Sequence, residues 1–108
     1  MGLFDDIKKM FSPKDGENRA SLSKRVQVSP QDPQARQKLG IYLLRQGEVV
    51  EGLDQLARAA VMYEKDGFAG KAVAVLRHML KNDPANLDFL RWLIRLYSQE
   101  GLTADAQR

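Results

Sequence analysis

Apolar residues recur along this chain at spacings of three and four, and no stretch alternates with a period of two for long enough to make a strand. The pattern predicts helices throughout and no sheet. Residues 2–11 place Leu3, Phe4, Ile7, Met10 and Phe11 on one side and Asp5, Asp6, Lys8 and Lys9 on the other, a short amphipathic helix. Ser12 and Pro13 end it, because proline disfavours a helical residue before it. Residues 13–32 read as a linker, in which the thin apolar face of Ala20, Leu22 and Val26 would allow a short helix over 19–28. SPQDP at 29–33 is a break, with Asp32 placed to cap a helix whose first residue is Pro33.

From 33 to 108 the pattern is helical to the end. Helices are predicted over 34–46 (Ala35, Leu39, Tyr42, Leu43), 48–66 (Val49, Leu53, Leu56, Ala57, Ala60, Tyr63), 69–82 (Ala72, Val73, Leu76, Met79, Leu80) and 86–100 (Leu87, Leu90, Leu93, Ile94, Tyr97). Gly47, Gly67 and Gly101 are read as stops in the manner of a C-terminal glycine, and Asp83-Pro84 as another. A last helix would begin near Thr103. On this reading Leu87, Leu90, Ile94 and Tyr97 face the seam with the neighbouring helix. A second apolar stripe on the same helix, Phe89, Trp92 and Leu96, then needs cover from 102–106, from further repeats or from a partner.

Shifted by 34 residues, the chain matches itself: Leu56 meets Leu90, Ala59 Leu93, Ala60 Ile94, Tyr63 Tyr97, Gly67 Gly101 and Ala72 Ala106. Large residues at i and i+7 form a shared seam, small ones permit close approach and glycine turns the chain; one helix pair cannot bury such a face alone, so neighbours stack on it. KDG at 14–16 and at 65–67 lie 51 residues apart, as do Asp32-Pro33 and Asp83-Pro84, which suggests that 19–28 is a degenerate second helix.

These residues resemble the tetratricopeptide repeat, with Leu56 in the tryptophan slot, Ala59 in the leucine slot, Ala60 in the glycine slot and Tyr63 in its own, followed by Ala72, Leu76 and Pro84 in the second helix. Leu39, Gly40, Leu43 and Gly47 are similar, but the second helix of that unit is already the first helix of the next, an irregular start to the array. The resemblance implies an all-α, tetratricopeptide-like α-solenoid of antiparallel helix pairs over 33–108, preceded by the helix of 1–12 and the linker of 13–32. It also implies that first helices line a concave binding face. A stop inside a second helix predicts a piece of a longer protein.

Composition narrows function further. In 108 residues, 44% hydrophobic and 29% charged content predicts one globular domain, and no run nears the roughly 18 apolar residues of a membrane span. The first residues lack the apolar centre and cleavage site of a secretory signal, and Asp6 stands where a myristoylation signal wants serine or threonine. A cytoplasmic location is the expectation. With no cysteine there is neither a disulfide framework nor a thiolate nucleophile or ligand. His78 stands alone, without a second histidine or a carboxylate one turn away, and reads as a polar group near a helix end rather than a ligand or a base. GFAGK at 67–71 lacks the preceding strand and full spacing of a phosphate loop, so it reads as a turn. The expectation is a non-enzyme with no metal and no cofactor.

Net charge is +3, with signs interspersed along the helices, so nucleic acid is not the expected partner. Asp88, Arg91, Arg95 and Ser98 recur at three- and four-residue spacing, and Arg58 occupies the corresponding earlier helix. Arginine forks grip carboxylates bidentately, so these side chains would suit an acidic segment of a protein or peptide; the alternative is that Arg91 only pairs with Asp88 on a solvated face. Ala57 and Val61 stand where the family's carboxylate clamp would need lysine or asparagine. The primary expectation is a non-catalytic scaffold or adaptor, with Arg58, Asp88, Arg91, Trp92 and Arg95 in its binding face. The alternatives are a membrane-surface adaptor using Phe4 and Ile7 for peripheral contact, and helical-repeat RNA binding. Self-association is compatible with each.

Overall fold

A computed structural model describes residues 18–106, with side chains through residue 99. The expected helix over 1–12, with Phe4 and Ile7, lies outside the described residues. Five helices follow in order: α1 (Arg19–Val28), α2 (Pro33–Arg45), α3 (Val49–Lys65), α4 (Ala69–Asn82) and α5 (Leu87–Ala106). No strand occurs among the described residues. Each helix packs on its neighbours in sequence, and the array is elongated, 59 × 30 × 28 Å. Its radius of gyration of 16.5 Å exceeds the about 13 Å of a compact chain of this size.

The helix ends have local causes. Asn18 and Ser21 cap α1 reciprocally, each side chain bonding the other residue's amide, at 2.9 and 3.0 Å. The Asp32 carboxylate accepts the Gln34 amide at 3.0 Å ahead of Pro33, as the sequence predicts. After α2 and after α3 the chain reverses through the same motif. Glu48 N–H reaches Leu43 O and Gly47 N–H reaches Leu44 O; Phe68 N–H reaches Tyr63 O and Gly67 N–H reaches Glu64 O. Gly47 and Gly67 have φ of 82° and 85°, the left-handed region that glycine enters without steric cost. GFAGK is accordingly the turn into α4.

Gly101 behaves differently. Instead of a stop and a new helix at Thr103, α5 continues through it to Ala106. Reversal at Gly67 is repaid by laying α4 on α3; at Gly101 no described segment offers that burial, and the helix runs on at the roughly 0.5–1 kcal/mol a mid-helix glycine costs.

Two apolar cores result. Leu22 and Val26 of α1 meet Ala35, Leu39 and Leu43 of α2, so the segment read as linker is part of the packed array. Leu56, Ala59, Ala60 and Tyr63 of α3 close with Ala72, Val75, Leu76 and Met79 of α4 and Leu96 of α5, all at most 4% exposed. Between the cores, α2 crosses α3 backbone to backbone. A Cβ on Gly40 would lie 3.0 Å from the Gly52 carbonyl oxygen, and one on Gly52 would lie 3.0 Å from that of Gly40. Ile41 and Leu44 lean from α2 onto the second core beside this crossing.

On α5 the structure reverses the predicted faces. Most of the stripe expected at the seam is in water, with Leu87 and Ile94 each 62% exposed and Tyr97 44% exposed, while Leu90 is partly buried. The stripe expected to need a partner is the packed one: Leu96 is fully buried, and Phe89, Trp92 and Leu93 rest on the same core. The physical reason is which neighbour is present. α5 has α3 and α4 on one side and no described helix on the other.

Candidate partner-binding face

The predicted cations fall on α3 and α5, which Glu64 joins. Trp92 donates its indole N–H to Glu64 Oε1 at 3.0 Å. Arg95 forks onto the same carboxylate, Nη1 to Oε2 and Nη2 to Oε1, the latter at 3.2 Å. This bidentate pair is the strong form of arginine recognition, satisfied here from within the chain. The hydrogen bond from Arg95 is the main cause that holds the Glu64 carboxyl below its usual range, with the indole N–H adding to it and partial burial opposing both. The Arg95 guanidinium is raised in turn. Arg95 is thereby a strut between α3 and α5, and a ligand would have to displace Glu64 to reach its fork.

Arg91 and Asp88 lie one turn apart on α5, Nη1 to Oδ1 at 3.9 Å, with side chains 77% and 92% exposed. A pair this loose and wet contributes little to stability and leaves both groups open to a partner. Arg58 donates from Nε to Asp54 Oδ2 at 3.0 Å on α3, again in solvent. On that helix Val61 is 52% exposed, while Ala57 packs partly into the core. The structure therefore brings Trp92 and Arg95 together on Glu64 and leaves Arg58, Asp88 and Arg91 as exposed local pairs. Phe4 and Ile7 lie outside the described residues.

A second surface escaped the sequence reading. Between α2 and α4 an open groove of about 550 Å³ is lined by Gln34, Gln37, Ile41, Tyr63, Lys71 and Ala74. Tyr63 donates its hydroxyl to Gln37 Oε1 at 2.8 Å, and burial is the main cause that raises the phenol above its usual range. The Lys71 ammonium stands 5.0 Å from the Phe68 ring centre and 5.8 Å from that of Tyr63, within cation–π reach. The available signal was Phe68, an aromatic residue placed in a turn. His78 is half-buried near the end of α4. No group of three or more potential metal ligands occurs among the described residues, and none of their helices is long and apolar enough to cross a membrane.

No protein-family model matches this chain, and no curated protein matches it either.

Proposed function

We propose that this chain is a non-catalytic interaction scaffold, a short tetratricopeptide-like α-solenoid that holds a protein or peptide on the face where α3 and α5 run side by side. The observation that carries this reading is the Glu64 junction. It fixes two helices through Trp92 and Arg95 while Val61, Arg91 and Asp88 on the same side stay in water. An apolar spot beside a cation and an acid on a rigid support suits an extended segment with an acidic residue next to an aliphatic one. The register supports the solenoid arrangement, since Leu56, Ala59, Ala60, Tyr63, Ala72 and Leu76 occupy the family's core slots and are all buried.

Trp92 is the single tryptophan, so its emission reports on this face directly. Acidic peptides titrated onto the full chain should shift that emission, and Arg91→Glu should weaken the response at least tenfold without loss of helicity. If no acidic peptide alters the emission and Arg91→Glu changes no interaction recovered from cells, the reading fails. The membrane-surface alternative rests on Phe4 and Ile7, and it requires co-sedimentation with anionic vesicles that Phe4→Asp abolishes.

A further inference from the structure

The open stripe on α5 has a counterpart whose cover is known. By the 34-residue shift, Leu87, Leu90, Ile94 and Tyr97 correspond to Leu53, Leu56, Ala60 and Tyr63 of α3. In α3 the last three of these are at most 4% exposed and form one core with Ala72, Leu76 and Met79 of α4, against which Leu53 and Val73 also pack. No described helix covers the α5 stripe, and the occupant that fits it is a helix with the apolar register of α4.

The sequence of residues 3–11 carries that register. A shift of 69 residues lays 3–11 on 72–80: Leu3 falls on Ala72, Phe4 on Val73, Ile7 on Leu76, Met10 on Met79 and Phe11 on Leu80. Of the remaining positions, Lys8 and Lys9 fall over Arg77 and His78 and Asp5 over exposed Ala74, while Asp6 departs from the match by falling on Val75, which is 1% exposed in α4. The small pair Ala60 and Ala72 is replaced by the larger pair Ile94 and Leu3, which calls for a helix spacing toward the wide end of the usual about 8–10 Å.

Reach decides which copy supplies the segment. Arg19 of α1 pairs with Glu48 and Glu51 at the start of α3, and Trp92 and Arg95 of α5 bond Glu64, so α3 stands between α1 and α5. A helix beyond α5 is then three helix spacings from α1, about 24–30 Å. Residues 11 and 18 can be at most about 24 Å apart along a fully stretched chain, and the straight path runs through α3 and α5. The segment must come from a neighbouring molecule.

We infer that residues 3–11 of one copy dock on the Leu87, Leu90, Ile94 and Tyr97 stripe of a second copy, so that the protein associates head to tail. Donor and acceptor surfaces differ, so the contact is heterologous and each added copy presents a fresh stripe. This inference does not depend on the peptide-binding reading above.

The test is sedimentation velocity on the full chain from micromolar to millimolar concentration. The weight-average mass should rise steadily with concentration. Ile7→Asp and Ile94→Asp should each remain monomeric with unchanged helicity, as Ile94 is exposed in the single chain. Mixing these two variants should restore one junction and no more, giving dimers that do not grow. Because the chain has no cysteine, Ile7→Cys and Ile94→Cys on separate molecules should cross-link to a mixed dimer on oxidation. Wild type that stays monomeric at the highest concentration overturns the inference, and so does association that survives Ile7→Asp. A doubly substituted chain that closes only on itself overturns the assignment to a second copy. Sedimentation with anionic vesicles in the absence of self-association would hand the segment to a lipid surface and overturn it as well.

Discussion

In α3, Leu56, Ala60 and Tyr63 are sealed against α4, whereas on α5 their equivalents Ile94 and Tyr97 stand 62% and 44% exposed and Leu90 is only partly buried. The two stripes differ little in composition. What differs is the neighbour, and the comparison teaches that burial in a stack of helices belongs to the interface between neighbouring helices rather than to a residue type.

The sharpest way to test that comparison is to cut the same size of side chain from both helices. Leu56→Ala removes a fully buried residue and should cost about 2–5 kcal/mol in urea denaturation. Leu87→Ala, on the open stripe, should stay within about 0.5 kcal/mol of wild type at concentrations where the chain is monomeric. Equal losses would mean that α5 is covered in solution even in the monomer.

The glycine crossing should show the next largest effect. Gly40→Ala pushes a methyl group to 2.8 Å from Leu56 Cγ and 3.0 Å from a backbone oxygen, and should cost about 1–3 kcal/mol. Gly47→Ala meets nothing within 4 Å and should lose only the backbone term, about 1–2 kcal/mol. Thermal melts of the two variants side by side separate crowding from backbone conformation.

Glu64 gives a smaller effect with a distinctive pH signature. Its folded-state pKa is depressed, so the stability it contributes is present above its unfolded value near 4.5 and is lost as pH falls through the folded value. Glu64→Gln should therefore cost about 1 kcal/mol at neutral pH and converge on wild type in acid, read as a flattened acid limb in denaturation midpoints across pH. The least effect belongs to Arg91→Glu, which should leave the melting temperature unchanged because the side chain is 77% exposed.

Much of this architecture was legible in the residue pattern. The bounds of α4, the Asp32 cap with Pro33, and the reversals at Gly47 and Gly67 all follow from local chemistry, in which a few neighbouring residues decide the outcome. The facing of α5 was not legible. That helix carries two apolar stripes, and periodicity places them on its surface without saying which meets α3 and α4. Gly101 matches Gly67 in the 34-residue register, but no described segment folds back after it. On the site, the sequence picked Trp92 and Arg95 and missed Glu64, which lies 31 residues from Arg95 and becomes its partner only through packing. Exposure of Arg91 with Asp88 was foreseeable from their one-turn spacing.

The contact between Gly40 and Gly52 carries a thermodynamic consequence. The two cores share no buried residue, so cooperativity between the halves passes through that crossing, the lean of Ile41 and Leu44, the pairs of Arg19 with Glu48 and Glu51, and the bonds from Arg36 to Gln55 and from Tyr63 to Gln37. At the crossing each glycine faces the other's carbonyl oxygen and one leucine side chain, Leu56 at Gly40 and Leu44 at Gly52, so there is little room for either half to adjust to the other. A single added carbon there would strain the joint itself, so that the loss falls on the coupling of α1 and α2 to α3 to α5 rather than on either core.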